Sequence, residues 1–320
     1  MPSLKRRQFG QLAAASLTST VVAGLSSKAV AQKIELKQEI LYGVKRLATP
    51  NNQNREDQTP SIELSTAEFA TGKVLSRLNR QSLFVDNPLS VPKRSRAFYI
   101  AESNRVTKAV ALKDGSLVIS TVSSTRNGFF NHLLFTVGNA AVPVFRAKKV
   151  LGFKKSNQTV ESLLSLPNNR LLCLVATEGV PPFSFRTIDF TTGKVLDRDD
   201  LDLPPLPLTH RFSNLCQDAK GNIFATEIGS EGIPILISIN LQEKALVTGK
   251  VIIKRLMPLK FEGRPLSNDL KDLGFSRSGE LYALAADTNR KNTALFTVNV
   301  KSGRMGLVRN FESEKFTFTL

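Results

Sequence analysis

The strongest constraint on this chain is that it repeats itself. Asn131-His132-Leu133-Leu134-Phe135-Thr136-Val137 matches Asn292-Thr293-Ala294-Leu295-Phe296-Thr297-Val298 at five of seven positions. Phe69-Ala70-Thr71-Gly72-Lys73-Val74-Leu75 matches Phe190-Thr191-Thr192-Gly193-Lys194-Val195-Leu196 at six of seven. A second element recurs beside these: a turn pair followed by an apolar, β-rich run. Asp114-Gly115, Asn168-Asn169, Lys220-Gly221 and Ser278-Gly279 each open such a run, and their second residues lie 54, 52 and 58 positions apart. A period near 50 residues marks one supersecondary unit copied along the chain.

Within a unit, apolar β-formers alternate with Asp/Asn/Gly turns, and the last full unit reads as four strands over 270–275, 280–284, 294–300 and 304–310. An isolated sheet of four short antiparallel strands has two apolar faces and two open edges, so copies must cover one another. The fold class expected is therefore all-β, a β-propeller of four-stranded blades. Residues 40–43 read like 280–283 and 62–75 supply a third and fourth strand, so the first blade lacks its first strand. The alternating segment Lys315-Phe316-Thr317-Phe318-Thr319-Leu320 is the strand that completes it and closes the ring. Five blades are counted; the insertion 79–105, with a Lys93-Arg94-x-Arg96 cluster, leaves room for a sixth around 97–101.

Composition narrows the chemistry. There are 44 Lys+Arg against 27 Asp+Glu, a formal charge of +17, with two Cys, two His and no Trp. Two Cys cannot build a disulfide framework, and no Cys/His run has zinc-ligand spacing. Cys173 and Cys216 read as small buried apolar residues in strands of successive repeats. The Thr-Gly-Lys strings at Thr71, Thr192 and Thr248 lack the upstream Gly, the following Ser/Thr and the helix of a phosphate loop. Gly72, Gly193 and Gly303 fit the left-handed position of a hairpin turn instead, with Glu68, Asp189 and Asn299 four residues before them.

The N-terminus carries Lys5-Arg6-Arg7-Gln8-Phe9, a weakly apolar stretch to Leu25, and Ala29-Val30-Ala31. This is the layout of an export leader over 1–31, with Ala29 and Ala31 at the cleavage site and the propeller domain over 32–320. Arg6 and Arg7 with Phe9 resemble a twin-arginine motif, which implies export of a folded protein to a periplasm or an equivalent lumen such as that of a thylakoid. The stretch is too short and polar to span a bilayer, so no transmembrane segment is expected in the mature chain. Without the leader's four bases the domain keeps +13. Outside the cytoplasm that excess suits an anionic polysaccharide, a lipid headgroup or an acidic protein rather than nucleic acid.

Propellers usually bind ligands where the first strands begin. The residue seven before each inter-strand turn is Lys108, Ser162, Asn214 and Asp272. The runs from Asn214 to Phe224 and from Asp272 to Tyr282 resemble the N-x-x-x-D-x-x-G strand-turn-strand unit of the gluconolactonase and regucalcin-like (NHL-type) propellers. That resemblance implies that Asn214 and Asp272 line the channel and can hold a divalent cation such as Ca²⁺; Glu227, an acid after a second strand, is a third candidate ligand by position. The acidic candidates after the second strands, Glu178, Glu227 and Asp287, sit at unequal distances past their turns, so their convergence is not expected from spacing. His132 takes the place of Thr293 and reads as a surface residue of a third strand. His210 precedes a first strand and is placed at the channel mouth; no catalytic residue is assigned. Two functions follow: a binding or scaffold module for an anionic or protein partner, or a metal-assisted, lactonase-like hydrolase at the channel mouth. A glycosidase would need two converging carboxylates, and no pair can be chosen.

Overall fold

The computed structural model describes residues 39–47, 61–80, 104–124, 130–138, 145–241, 251–266, 270–286 and 292–319. Blade 1 contains β1 (Ile40–Leu47), β2 (Ser61–Glu68) and β3 (Val74–Arg80), and blade 2 contains β4 (Asn104–Ala111), β5 (Leu117–Ser124), β6 (Phe130–Val137) and β7 (Phe145–Lys149). Blade 3 is β8 (Gln158–Leu166), β9 (Arg170–Thr177), β10 (Val180–Asp189) and β11 (Lys194–Asp202). Blade 4 is β12 (Arg211–Gln217), β13 (Ile223–Ile228), β14 (Pro234–Asn240) and β15 (Ile252–Pro258). A small hairpin, β16 (Lys260–Phe261) and β17 (Arg264–Pro265), precedes blade 5: β18 (Leu270–Phe275), β19 (Leu281–Ala286), β20 (Thr293–Val298) and β21 (Arg304–Asn310). The last strand, β22 (Lys315–Phe318), pairs antiparallel with β1 and becomes the inner strand of blade 1.

The inner strands β22, β4, β8, β12 and β18 touch in that cyclic order, and β18 returns to β22. The ring therefore closes on five blades. This decides against the sixth blade that the insertion left open, because β4 already packs against β22 and no gap remains between blades 1 and 2. The residues proposed for that extra blade, and the leader with Arg6, Arg7, Ala29 and Ala31, lie outside the described residues.

Five apolar clusters fill the five junctions between neighbouring sheets. Ile62, Leu64, Ile119 and Phe135 join blades 1 and 2, and Val118, Leu163, Leu171 and Ile188 join blades 2 and 3. Phe183, Phe185, Phe212 and Leu215 join blades 3 and 4, while Leu236, Leu273, Phe296 and Met305 join 4 and 5. Tyr282, Leu284 and Leu295 meet Leu41, Phe316 and Phe318 between blades 5 and 1. Because strand side chains alternate, a middle strand feeds two of these clusters: on β5, Val118 enters the blade 2–3 junction and Ile119 the blade 1–2 junction.

Glycine turns clip the rim together. Gly193 (φ 73°) and Gly303 (φ 69°) occupy the left-handed region. Their N–H groups donate back to the carbonyls of Asp189 (2.7 Å) and Asn299 (2.8 Å). The Asp189 carboxylate accepts from the backbone N–H groups of Thr191 and Thr192, and the Asn299 side-chain oxygen does the same for Lys301 and Ser302. Each turn abuts the preceding blade. A Cβ on Gly193 would lie 2.6 Å from the Lys149 carbonyl oxygen, and one on Gly303 would lie 2.2 Å from that of Pro258. The chain leaving blade 4 then runs parallel to β21, Lys260 opposite Arg304 and Phe261 opposite Met305, an addition the sequence did not announce.

Candidate functional site: the channel and its mouth

Each of the inner strands β4, β8, β12 and β18 carries a register irregularity at or beside the residue singled out from the sequence, namely Lys108, Ser162, Asn214 and Asp272. All four are buried, between 0 % and 3 % exposed. Two of them make the same bond to the next blade: Ser162 Oγ accepts the Leu215 N–H (2.9 Å), and Asp272 Oδ2 accepts the Phe316 N–H (3.1 Å). Leu215 follows Asn214, so Phe316 identifies Lys315 as the fifth member of the ring. The sequence comparison missed it because the closing strand has no turn after it to count from.

Lys108 and Asp272 belong to blades that are not neighbours, and their side chains meet across the channel. Lys108 Nζ donates to Asp272 Oδ1 at 2.5 Å and to the Leu273 carbonyl at 2.6 Å. Asp272 Oδ1 also accepts the Leu273 N–H at 2.9 Å. One carboxylate thus joins blades 2, 5 and the closing strand of blade 1. Lys315 donates to the Lys271 carbonyl. Burial lowers its amine to about 8; Asp272 opposes that shift and Lys108 adds to it. Cys216 lies near the same pair, and burial pushes its thiol up to about 12. Both cysteines are buried and unbridged, as expected from the sequence.

The structure does not bring the three candidate metal ligands into one set. Asn214 (φ 56°) donates from Nδ2 to Thr226 Oγ1 at 3.1 Å, and its buried Oδ1 has no partner. Glu227 is the residue after Thr226 on β13, and adjacent strand residues face opposite sides of a sheet, so its carboxylate leaves Asn214 behind. It accepts instead from Arg255 Nε (2.7 Å) and Nη2 (2.9 Å) and contacts His210 Nδ1 (3.0 Å). Burial would raise the Glu227 carboxyl, but the bonds from Arg255 and His210 outweigh it and hold it below the usual range. Ca²⁺ takes about six to eight oxygens. Of the oxygens on Asn214, Asp272 and Glu227, only Asn214 Oδ1 is without a donor, so this set does not fit such an ion. Among the described residues no group of three His, Cys, Asp or Glu stands close enough to hold a metal.

His210 directly precedes β12, and the edge of its ring carrying Nε2 packs on Gly229, where an added Cβ would lie 3.2 Å away. Arg255 was not foreseen; it comes from a fourth strand, and nothing local links it to Glu227. His132 differs from expectation. It is 2 % exposed because the chain after β7 returns over it and Phe153 packs on its ring at 4.8 Å. Burial, then the charge of Arg105, lower its imidazole to about 3, so it stays neutral.

The two innermost strands of the five blades carry three carboxylates in all: Glu161, Glu227 and Asp272. Each is held by a base. Glu161 meets Arg105 Nη2 at 2.6 Å, and the partners of the others are given above. Glu178, just past β9, lies outside these strands, and Asp287 is outside the described residues.

No protein-family model matches this chain, and no curated protein does. Among solved structures it is similar to a protein of unknown function from Bacteroides caccae (TM-score 0.44, 11 % identity, covering 88 % of this chain and 99 % of that one). It is also similar to an α-L-arabinanase from Penicillium chrysogenum (TM-score 0.45, 10 % identity, 86 % and 83 %). A calcium-binding protein, regucalcin, from Agrobacterium tumefaciens matches at TM-score 0.38 and 11 % identity over 85 % and 74 %. Likeness at this level says nothing about which chemistry this chain performs.

Proposed function

We propose that this chain is an exported binding or scaffold module whose basic propeller surface engages an anionic partner, such as an acidic polysaccharide, a lipid headgroup or an acidic protein. One observation carries the reading: all three carboxylates on the two innermost strands of the blades are neutralised by Lys108, Arg105 or Arg255. General acid–base work or metal activation of water needs carboxylates whose oxygens are open to substrate or ion. Here those groups are committed to ion pairs, Glu161 and Asp272 between blades and Glu227 within blade 4. The +13 domain then acts through its field, and the leader-like segment with Arg6-Arg7 and Ala29-Val30-Ala31 supports export.

Binding of the mature domain to dextran sulfate and to polyglutamate, measured across a salt series, tests this. Saturable binding that weakens steeply as the Debye length shrinks from about 10 Å at 0.1 M salt to about 3 Å at 1 M is the expected result. Binding to neither polymer would overturn it.

The second reading is the metal-assisted, lactonase-like hydrolase, and what favours it is the buried, unpartnered Asn214 Oδ1 beside Asp272 in the ring. Calorimetric titration with Ca²⁺ decides: stoichiometric uptake lost in Asn214→Ala, together with lactone hydrolysis, would replace the binding module by the enzyme.

A further inference from the structure

Three rim turns, at Gly72, Gly193 and Gly303, share a left-handed glycine whose N–H donates to the carbonyl four residues back, and in two of them a base from the preceding blade seals the contact. At the junction of blades 2 and 3, Lys148 lies over the turn of Gly193. Its Nζ donates to the carbonyls of Phe190 (3.1 Å) and Thr191 and stands 5.6 Å from the Phe190 ring centre. At the junction of blades 5 and 1, Arg309 donates to the Phe69 carbonyl at 2.6 Å and stands 5.6 Å from its ring. At the junction of blades 4 and 5 the neighbours of Gly303 are Pro258 and Met257, in the places that Lys149 and Lys148 hold beside Gly193. Methionine has no proton to donate, so this contact is not sealed.

A cavity of about 680 Å³ opens there, lined by Met257, Met305, Lys260, Lys301, Arg304 and Glu262 among others. Among the described residues, the side-chain nitrogens of Lys260, Lys301 and Arg304 take part in no hydrogen bond or ion pair. Three unpaired cations and one carboxylate thus face a floor of two thioethers, which are polarizable and adapt to irregular apolar shapes. The complement of such a surface is a molecule with an anionic head and an apolar body, and a guanidinium grips carboxylate or phosphate oxygens with two parallel bonds.

We propose that this cavity binds a soluble amphiphilic anion, its carboxylate or phosphate head on Arg304 and Lys301 and its aliphatic body across Met257 and Met305. This goes beyond the polyanion reading, since a polymer without an apolar body gains nothing from the thioether floor.

Met257 and Met305 are the only methionines after Met1, so the two methyl signals of a ¹³C-methyl-labelled mature domain report on the cavity alone. Both should shift saturably on titration with monomeric decanoate and with decyl phosphate. Lys301→Ala/Arg304→Ala should weaken binding by about tenfold or more, the scale of lost charge-assisted bonds. Met257→Lys, which installs the sealing residue of the blade 2–3 junction, should abolish it with the thermal melt retained. Absence of methyl shifts, equal affinity for decanol, or unchanged affinity in the double variant would overturn the proposal. So would binding confined to phosphatidylglycerol vesicles. Dextran sulfate binding can fail while decanoate binding stands, and the reverse, so the two readings are separately testable.

Discussion

The hub and the rim of this propeller treat charge in opposite ways. At the hub, Lys108 and Asp272 are buried to 3 % and 0 % exposure and bonded to each other and to backbone. At the rim, the side-chain charges of Lys260, Lys301 and Arg304 stand around a cavity with no partner among the described residues. The difference follows from solvent. A buried charge must be paired, because desolvation is costly and water cannot substitute for a lost partner. A rim charge costs little unpaired and remains available to a ligand. The hub is therefore where stability is concentrated, and the rim is where binding is possible.

The sharpest way to break this contrast is to strand the hub lysine. Asp272→Ala leaves Lys108 buried without its carboxylate and removes the acceptor of the Phe316 N–H, so we expect a loss of about 3–5 kcal/mol in urea denaturation. Lys108→Met/Asp272→Leu removes both charges and should lose much less. If single and double variants are equally unstable, the pair is not what matters at the hub.

The rim turns come next. Gly193→Val and Gly303→Val each force a β-branched residue into the left-handed region and drive its Cβ into a backbone carbonyl of the preceding blade. We expect each to lose about 3 kcal/mol. Similar losses at the two sites would show that the sealed and open junctions share one backbone latch and differ only in the residue laid across it.

Lys315 sharpens the hub side through pH. Its folded amine titrates near 8, below the ordinary lysine value of 10.5, so folding disfavours its charged form. The unfolded chain binds the extra proton between those values, and stability rises with pH across that window. Lys315→Met should therefore be more stable than the natural chain at pH 7, by an amount that solvent screening at this half-buried position holds below the roughly 3 kcal/mol of full burial. The advantage should shrink from pH 8 upward and vanish above 10.5. A difference independent of pH would mean that packing, not charge, separates the two proteins.

How much of this could be read in the sequence follows the range of the interactions. The four strands of blade 5, the β22 closure and the Gly193 turn were legible because each is written in neighbouring residues and then repeated. Asp189 bonding the turn backbone was legible for the same reason. The ring positions Lys108, Ser162, Asn214 and Asp272 were found by counting from turns. That Lys108 reaches Asp272, 164 residues away, was not legible, because nothing local encodes which inner strands face each other across a channel. Arg255 on Glu227 and the burial of His132 under Phe153 failed in the same way. In the His132 repeat the identities cover the strand, and the covering chain that buries it differs from copy to copy.

The smallest effect expected is the one that tests the rim directly. Lys148→Met copies Met257 into the sealed junction and removes the donor to two carbonyls, those of Phe190 and Thr191. Were these oxygens buried like those at the hub, the loss would approach that of a buried unsatisfied group, about 1–3 kcal/mol apiece. They sit at a half-exposed edge where water can take the place of the ammonium, so a total near 1 kcal/mol is expected. Thermal melts of Lys148→Met and of Met257→Lys, read beside decanoate titrations of both, connect the two halves of the contrast. Lys148→Met should lose a little stability and expose a new apolar recess beside Gly193, while Met257→Lys should keep its stability and lose the ligand. A melt of Lys148→Met as damaged as that of Asp272→Ala would show that rim and hub obey the same rule after all.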